Sequence, residues 1–171
     1  MIFVALQAEH GAALADFVAE FAAAGEERIP AFLPSLDWSF EEMVKGFAKQ
    51  SHGEGLPEGW VPCTTRFLVH EARILGLFNL RHLLNENLLR FGGHIGYSVR
   101  PSEQRKGYGT LVLKEALRIA RGLKIESALL TTDPDNTASA GVITKCEGVF
   151  EDRTYYEPVG HEVSRYWINL S

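Results

Sequence analysis

A chain of 171 residues can bury one sizeable core but hardly two, so it reads as a single domain over 1–171. Its composition, 46% hydrophobic and 23% charged with no low-complexity tract, excludes a disordered or fibrous class. With 17 Lys plus Arg against 22 Asp plus Glu, the net charge of -5 gives no overall electrostatic footprint for nucleic acid or an anionic membrane.

The first apolar run, residues 2–6, is strand-sized and has neither a basic leader nor a small-residue cleavage site, so it is expected to be a strand and not a signal peptide. From Ala8 to Glu27, Leu14, Phe17, Val18, Phe21 and Ala22 recur at helical spacing. Pro30, Pro34 and the turn at Ser35 to Asp37 interrupt that pattern. A second helix follows, with Phe40, Met43, Val44 and Phe47 at i, i+3, i+4 and i+7, ending near Lys49. The glycines and prolines between Ser51 and Pro62 mark an exposed connector, expected to be mobile. Phe67 to His70 and Ile74 to Phe78, divided by Glu71 to Arg73, predict an antiparallel hairpin.

The stretch Arg81 to Arg90 is ambiguous, its leucines suiting a short helix, and Gly92-Gly93 breaks the chain before a strand at His94 to Val99 that Pro101 stops. Thr110 to Arg121 is the clearest helix, with Val112, Leu113, Ala116, Leu117 and Ala120 on one face and Lys114, Glu115, Arg118 and Arg121 on the other. Ser127 to Thr132 is a buried strand feeding Asp133-Pro134-Asp135, and it completes a βαβ unit in which a parallel pair is expected. A short helix at Thr137 to Lys145 and strands at Val149 to Tyr156 and Val163 to Ile168 close the chain. The order implies an α+β, three-layer α/β/α arrangement: a mixed, mostly antiparallel sheet with one central parallel βαβ pair. No run is long enough to cross a bilayer, and Cys63 and Cys146 lack metal-type spacing, so a reducing cytoplasm and no metal are expected.

One segment carries chemistry. Gln104-Arg105-Lys106-Gly107-Tyr108-Gly109-Thr110 lies between a strand end and a helix start, where glycines let the backbone turn its N–H groups outward. The helix dipole favours phosphate there, and Arg105 and Lys106 would add charge, so a diphosphate fits. No Walker string occurs, and a dinucleotide fingerprint lacks its third glycine, position 112 being Val112.

The segment resembles the GNAT superfamily of N-acetyltransferases, whose signature is a strand, Gln/Arg-x-x-Gly-x-Gly/Ala and a helix. The match is specific from Gly93 to Gly148 and topological outside it. The resemblance implies a GNAT-like fold and a single acetyltransferase domain using acetyl-CoA as acyl donor. Tyr97, Ser98 and Val99 would line the pantetheine arm, and Gln104 to Thr110 would hold the pyrophosphate. Asn136 would touch the cofactor or cap the helix at Thr137, and the two roles are compatible.

One departure stands out, since many relatives place a tyrosine seven residues after that asparagine to protonate the departing thiolate, and here it is Ile143. The implied reaction moves an acetyl group to a primary amine of a small molecule or peptide by direct transfer, because nothing pairs with Cys146 to make an acyl-enzyme. A strand N–H near Tyr97 or Val99 would meet the oxyanion. Glu86, His94, Asp133 and Glu151 are candidate bases, with Glu86 and His94 favoured because they flank the cofactor strand. Tyr155 or Tyr156 is a substitute acid, only one of which can face a cleft. The alternative is an acyl-CoA-binding sensor without transfer activity, motivated by Ile143. The chain would act as a monomer or homodimer.

Overall fold

The computed structural model describes residues 1–25, 33, 38–157 and 160–171. In chain order the elements are β1 (Ile2–Val4), α1 (Gly11–Ala23), α2 (Phe40–Ser51), β2 (Cys63–His70), β3 (Arg73–Arg81), β4 (Ile95–Val99), α3 (Tyr108–Gly122), β5 (Ser127–Thr132), α4 (Thr137–Lys145), β6 (Val149–Tyr156) and β7 (His161–Asn169). Apart from Leu33, the turn expected from Pro30 through Asp37, and the end of the first predicted helix at residues 26–27, lie outside the described residues.

Local signals explain the boundaries. Ser39 starts α2 with a reciprocal cap, its N–H donating to Glu42 Oε2 at 2.7 Å while Glu42 N–H donates to Ser39 Oγ at 3.3 Å. Glu71 and Ala72 both take positive φ between the paired residues His70 and Arg73, giving a two-residue turn whose twist suits a hairpin. The hairpin strands are longer than their apolar runs because buried polar residues extend them: Asn79 Nδ2 donates across the ladder to Thr65 Oγ1 at 3.1 Å. Hydrophobic patterning does not register such pairs.

Two clusters make the layers. Phe17, Phe21 and Phe47 of α1 and α2 pack with Phe67, Ile74 and Leu77 on one face of the sheet. Val112, Leu113 and Leu117 of α3 pack with Leu68, Leu75, Phe78 and Leu80 on the other. Ile74 and Leu77 share a face despite their odd spacing because one step on β2, Leu68 to Val69, is matched by two on β3, Gly76 to Ile74. The extra residue, Leu75, is a bulge that resets the alternation. The three-layer α+β expectation holds in this form.

The central parallel ladder does not. Among the described residues, strands order as β1-β2-β3-β4 in one sheet and β5-β7-β6 in another, and the paired strands all run antiparallel. β4 and β5 flank the crossover helix α3 as predicted, but they touch only at their base. There His94 N–H donates to Leu129 O at 2.7 Å, and Leu129 N–H donates to His94 Nδ1 at 3.0 Å. A side chain occupies the acceptor place that a ladder would fill with a carbonyl, so the pairing stops after one rung and the strands part. Thr131 Oγ1 donates to Phe91 O, and the Phe91 ring stacks on Tyr156 at 4.5 Å, which fastens the preceding turn to the second sheet.

Gly93 makes this junction geometrically feasible: its φ is +59°, and a Cβ at this position would lie only 2.6 Å from Leu129 O. Gly25 has a similar φ of +65° but, among the described residues, nothing within 4 Å of such a Cβ. Gly93→Ala is therefore expected to cost about 3 kcal/mol or more in urea unfolding, and Gly25→Ala only about 1. Equal costs would mean that the close approach at Leu129 is not a constraint.

Candidate active site

The parting of β4 and β5 opens a cleft of about 710 Å³. Tyr97, Ser98 and Val99 of β4 form one wall, Gln104, Arg105, Gly107, Gly109 and Thr110 its end, and Asn136 to Ser139 with Gly141, Val142 and Lys145 the other wall. Phe21 of α1 closes one side. Arg81 N–H donates to His94 O at 2.8 Å and Arg100 N–H to Leu75 O at 2.9 Å, so the even-numbered residues of β4 turn their backbone towards β3. By antiparallel alternation the N–H and C=O groups of Tyr97 and Val99 face the open edge, where an extended ligand can pair with them.

Gly107, with φ +90°, is the N-cap of the 15-residue α3, and no side chain caps that end. Its first-turn N–H groups are therefore available to an anion. Arg105 and Lys145 supply positive charge at the cleft. Gly109 permits the close pass of α4, since a Cβ there would lie 3.2 Å from Val142.

A charge network holds the loop before Gly107 against α1. Arg100 is fully buried, donates through Nε to Ile74 O at 2.6 Å, and uses one terminal nitrogen for Asp16 at 2.8 Å and Glu20 at 2.7 Å. Its guanidinium also lies 5.4 Å from the Phe17 ring centroid. Glu20 accepts the Ser102 N–H at 2.8 Å as well. Burial alone would push the Glu20 carboxyl up, but the hydrogen bonds from Ser102 and Arg100 and the Arg100 charge outweigh it and bring it to about 2.

Of the eleven residues expected at the acyl donor, nine line this cleft, and Lys106 and Tyr108 are not among the lining residues. Lys106 instead pairs with Glu103 at 3.0 Å, and Tyr108 packs against the core. Asn136 caps α4, its Oδ1 accepting the Ser139 N–H at 2.9 Å, and lines the cleft too, so both of its expected roles are geometrically open.

The expected acid and base residues are not gathered in this cleft. Glu86 is exposed on the segment before β4, and Tyr155 is 59% exposed on β6. Tyr156 is committed to its stack on Phe91. Glu151 is the bulged residue of β6 and accepts Trp167 Nε1–H at 2.8 Å while pairing with Arg165 at 3.0 Å. His94 is buried at the junction with Nδ1 engaged, and burial together with the nearby Arg81 cation lowers it to about 4. Its observed contact joins the sheets.

Sequence reasoning missed Ser139 and Lys145. Ser139 Oγ lies 3.0 Å from Tyr97 Oη in the cleft, and burial raises the Tyr97 phenol to about 12, keeping it protonated at neutral pH. The signal for Ser139 was its place three residues after the capping Asn136, and for Lys145 its position two turns further on, facing the loop. Ile143 is fully buried in the core.

A strand edge without a strand partner among the described residues, an uncapped helix N-terminus and cations beside it make a cleft suited to an extended, anionic ligand. A family model described as an acetyltransferase (GNAT) domain matches residues 2–149, and the chain belongs to that family of acyltransferases. The fold matches a GNAT-family acetyltransferase from Streptococcus pneumoniae with TM-score 0.68 at 17% identity, covering 99% of this chain and 100% of that one. It also matches RimL, a ribosomal alpha-N-protein acetyltransferase in complex with coenzyme A, with TM-score 0.67 at 21% identity over 98% and 92% of the two chains. A third likeness is to the microcin self-immunity acetyltransferase MccE in complex with acetyl-CoA and AMP, with TM-score 0.70 at 12% identity over 98% and 91%. Comparison with curated protein sequences finds no match. Among the described residues no helix is long and apolar enough to cross a membrane, and no group of three metal-ligating side chains occurs.

The folded His94 value of about 4 lies below the ordinary 6.5 of the unfolded chain, so the unfolded state takes up this proton first. The stabilising contribution is complete above pH 6.5 and falls as pH drops towards 4. Urea unfolding between pH 6.5 and 5 is expected to show a loss of about 1 kcal/mol per pH unit that His94→Gln removes. An unchanged slope in the variant would mean that His94 is not the titrating group.

Proposed function

We propose that the chain is an N-acetyltransferase that moves an acetyl group from acetyl-CoA to a primary amine of a small molecule or peptide by direct transfer. The observation that carries the reading is the single cleft in which the free edge of β4, the uncapped start of α3 and the first turn of α4 converge. The acetyl-CoA and coenzyme A complexes of MccE and RimL support the choice of donor. In this reading the first-turn N–H groups of α3 with Arg105 and Lys145 take the diphosphate, and the pantetheine amides pair with Tyr97 and Val99. A backbone N–H of the same edge meets the carbonyl oxygen as it turns negative. The Tyr97–Ser139 hydroxyl pair gives the leaving thiolate its proton, a place that Ile143 does not fill.

Direct transfer is supported by the thiols. Cys146 and Cys63 are buried, and burial raises both above the usual thiol range, which disfavours the thiolate an acyl-enzyme needs. Two buried cysteines without a disulfide also suit a cytoplasmic setting.

Thermal unfolding with acetyl-CoA at ~100 times its dissociation constant should show about 2.7 kcal/mol of added stability, with NAD and ATP giving none. Arg105→Ala and Lys145→Ala should each weaken acetyl-CoA binding about tenfold by calorimetry, as expected for a lost charge-assisted contact. Tyr97→Phe should lower kcat about a hundredfold while sparing donor affinity. No acetyl-CoA binding by the unaltered protein would end this reading.

A further inference from the structure

Arg81, the last residue of β3, is half-buried beside the junction of β4 and β5. Its Nη1 donates to Gly92 O at 3.0 Å and Gly93 O at 3.3 Å, and a Cβ on Gly96 of β4 would lie 3.9 Å from the same nitrogen. The guanidinium thus sits at the closed end of the gap between the two strands. Its face of the sheet follows from the register: Arg81 is opposite Cys63, whose thiol contacts Gln50 of α2, so the side chain is on the α2 side. Tyr97 is on the other face, opposite Phe78, which packs with α3.

The guanidinium lacks a counter-charge. Arg100 and Arg165, also withdrawn from solvent, each meet two carboxylates. Arg81 donates to neutral carbonyls, and among the described residues no carboxylate lies within ion-pair distance of it. Its neighbours on this face, Gln50, Cys63, Thr65 and Asn79, are neutral, and burial keeps the Cys63 thiol protonated. Burial also pulls the Arg81 pKa down, as expected of a cation whose desolvation no partner offsets. Holding the Gly92–Gly93 turn takes Nη1 alone. Nε and Nη2 donate to no described residue, and the fully buried unpartnered nitrogens are those of Arg100 and Arg165, so this edge is open to solvent. The Nε–Nη2 edge is the side-on fork whose two parallel N–H groups match a carboxylate.

Resting on the reading above, we propose that the acceptor is a primary amine carrying a carboxylate a few bonds away, a small amino acid or its like, and that Arg81 is the residue that selects it. With the pantetheine amides on Val99 and Tyr97, the thioester comes next to Gly96, and one residue of strand is about 3.4 Å. An acceptor with its amine at the thioester and its carboxylate on Arg81 therefore spans only a few ångströms, approaching from the α2 face while the donor lies along the edge. One guanidinium edge offers one charge and two donors, which a carboxylate uses in full. A phosphate dianion would call for a second cation, and the titratable group beside Arg81, His94, is neutral at pH 7.

The test uses the full chain with acetyl-CoA, thiol release as readout and calorimetry with acetyl-CoA in parallel. Glycine, β-alanine and γ-aminobutyrate are each compared with their amides, and γ-aminobutyrate with 3-aminopropylphosphonate. The unaltered protein should prefer at least one acid to its amide by about tenfold to a hundredfold in kcat/KM, the range of charge-assisted hydrogen bonds. Arg81→Gln should bring that ratio to about one, mainly through KM, while binding acetyl-CoA within about twofold of the unaltered protein. Arg81→Lys keeps the charge but not the fork and should restore only part of the preference. Each ratio compares two probes in one protein, so a general loss from a disturbed turn cancels. Should Arg81→Gln fail to bind acetyl-CoA, the unaltered protein decides: the preferred acid's amine-free analogue (acetate, propionate or butyrate) should inhibit, and the matching simple amide should not. No acid-over-amide preference, a preference unmoved by Arg81→Gln, equal inhibition by carboxylate and amide, a preference for the phosphonate, or acetyl-CoA binding with no probe acetylated would overturn the inference and leave the donor site standing. Failure of the unaltered protein to bind acetyl-CoA would overturn the reading beneath it.

Discussion

At the base of the cleft a histidine ring stands where a strand would offer its next carbonyl. His94 Nδ1 accepts the Leu129 N–H, and the His94 N–H returns a bond to Leu129 O, so β4 and β5 are joined by one closed pair of hydrogen bonds. Beyond it the odd-numbered backbone groups of β4 face a gap. A buried sheet edge normally demands partners, because each unpaired N–H or C=O away from water costs about as much as a lost hydrogen bond. An open edge is therefore tolerable where solvent or a ligand can reach it. The junction joins the strands at one point and leaves the rest of the β4 edge open, and it needs a neutral imidazole to accept the Leu129 N–H. Burial and Arg81 hold His94 in that state at neutral pH.

The opposite end of β4 is fixed by charge. A fully buried guanidinium is a poor way to add stability, since desolvation offsets most of what pairing returns. Arg100 links α1, β3 and β4 through Asp16, Glu20 and the Ile74 carbonyl, and Glu20 extends the link to Ser102 on the loop that leads to Gly107. Arg73 and Glu103 continue it to Lys106. These contacts orient the loop more than they strengthen the fold. They also explain the side-chain directions around Gly107: Lys106 is drawn back to Glu103, while Arg105 and Lys145 remain beside the cleft.

Much of this is legible in the residues. α3 shows itself by spacing, and all five residues of its predicted apolar face are buried. Gln104 to Thr110 falls where its glycines place it, between β4 and the first turn of α3, with Gly107 at positive φ as the N-cap. The pairing of β4 with β5 is not legible, since the parallel ladder inferred from the βαβ order fails through a contact made by one side chain. The expected acid and base residues do not share the cleft, for a related reason. Glu86 and His94 are near β4 in sequence, but the chain turns at Gly93 and carries them to the surface and to the junction. Ser139 and Lys145 are invisible because they meet the cleft only after α4 packs, and a lone hydroxyl or ammonium has no periodic signature.

The arrangement of hydroxyls follows from helix geometry. Position 143 of α4 points into the core, fully buried, where a phenol would need to displace packed apolar neighbours to reach a thiolate. Ser139, one turn earlier, is held at the helix start by the Asn136 cap and meets Tyr97 rising from β4. The phenol thus comes from the strand, and the helix contributes a small hydroxyl. Because β4 also presents the backbone edge for the donor, acid and donor site in this reading sit on one rigid strand braced at both ends. A proton source built this way needs no movement of α4, so substitutions at Ile143 should be felt through packing and those at Tyr97 through chemistry.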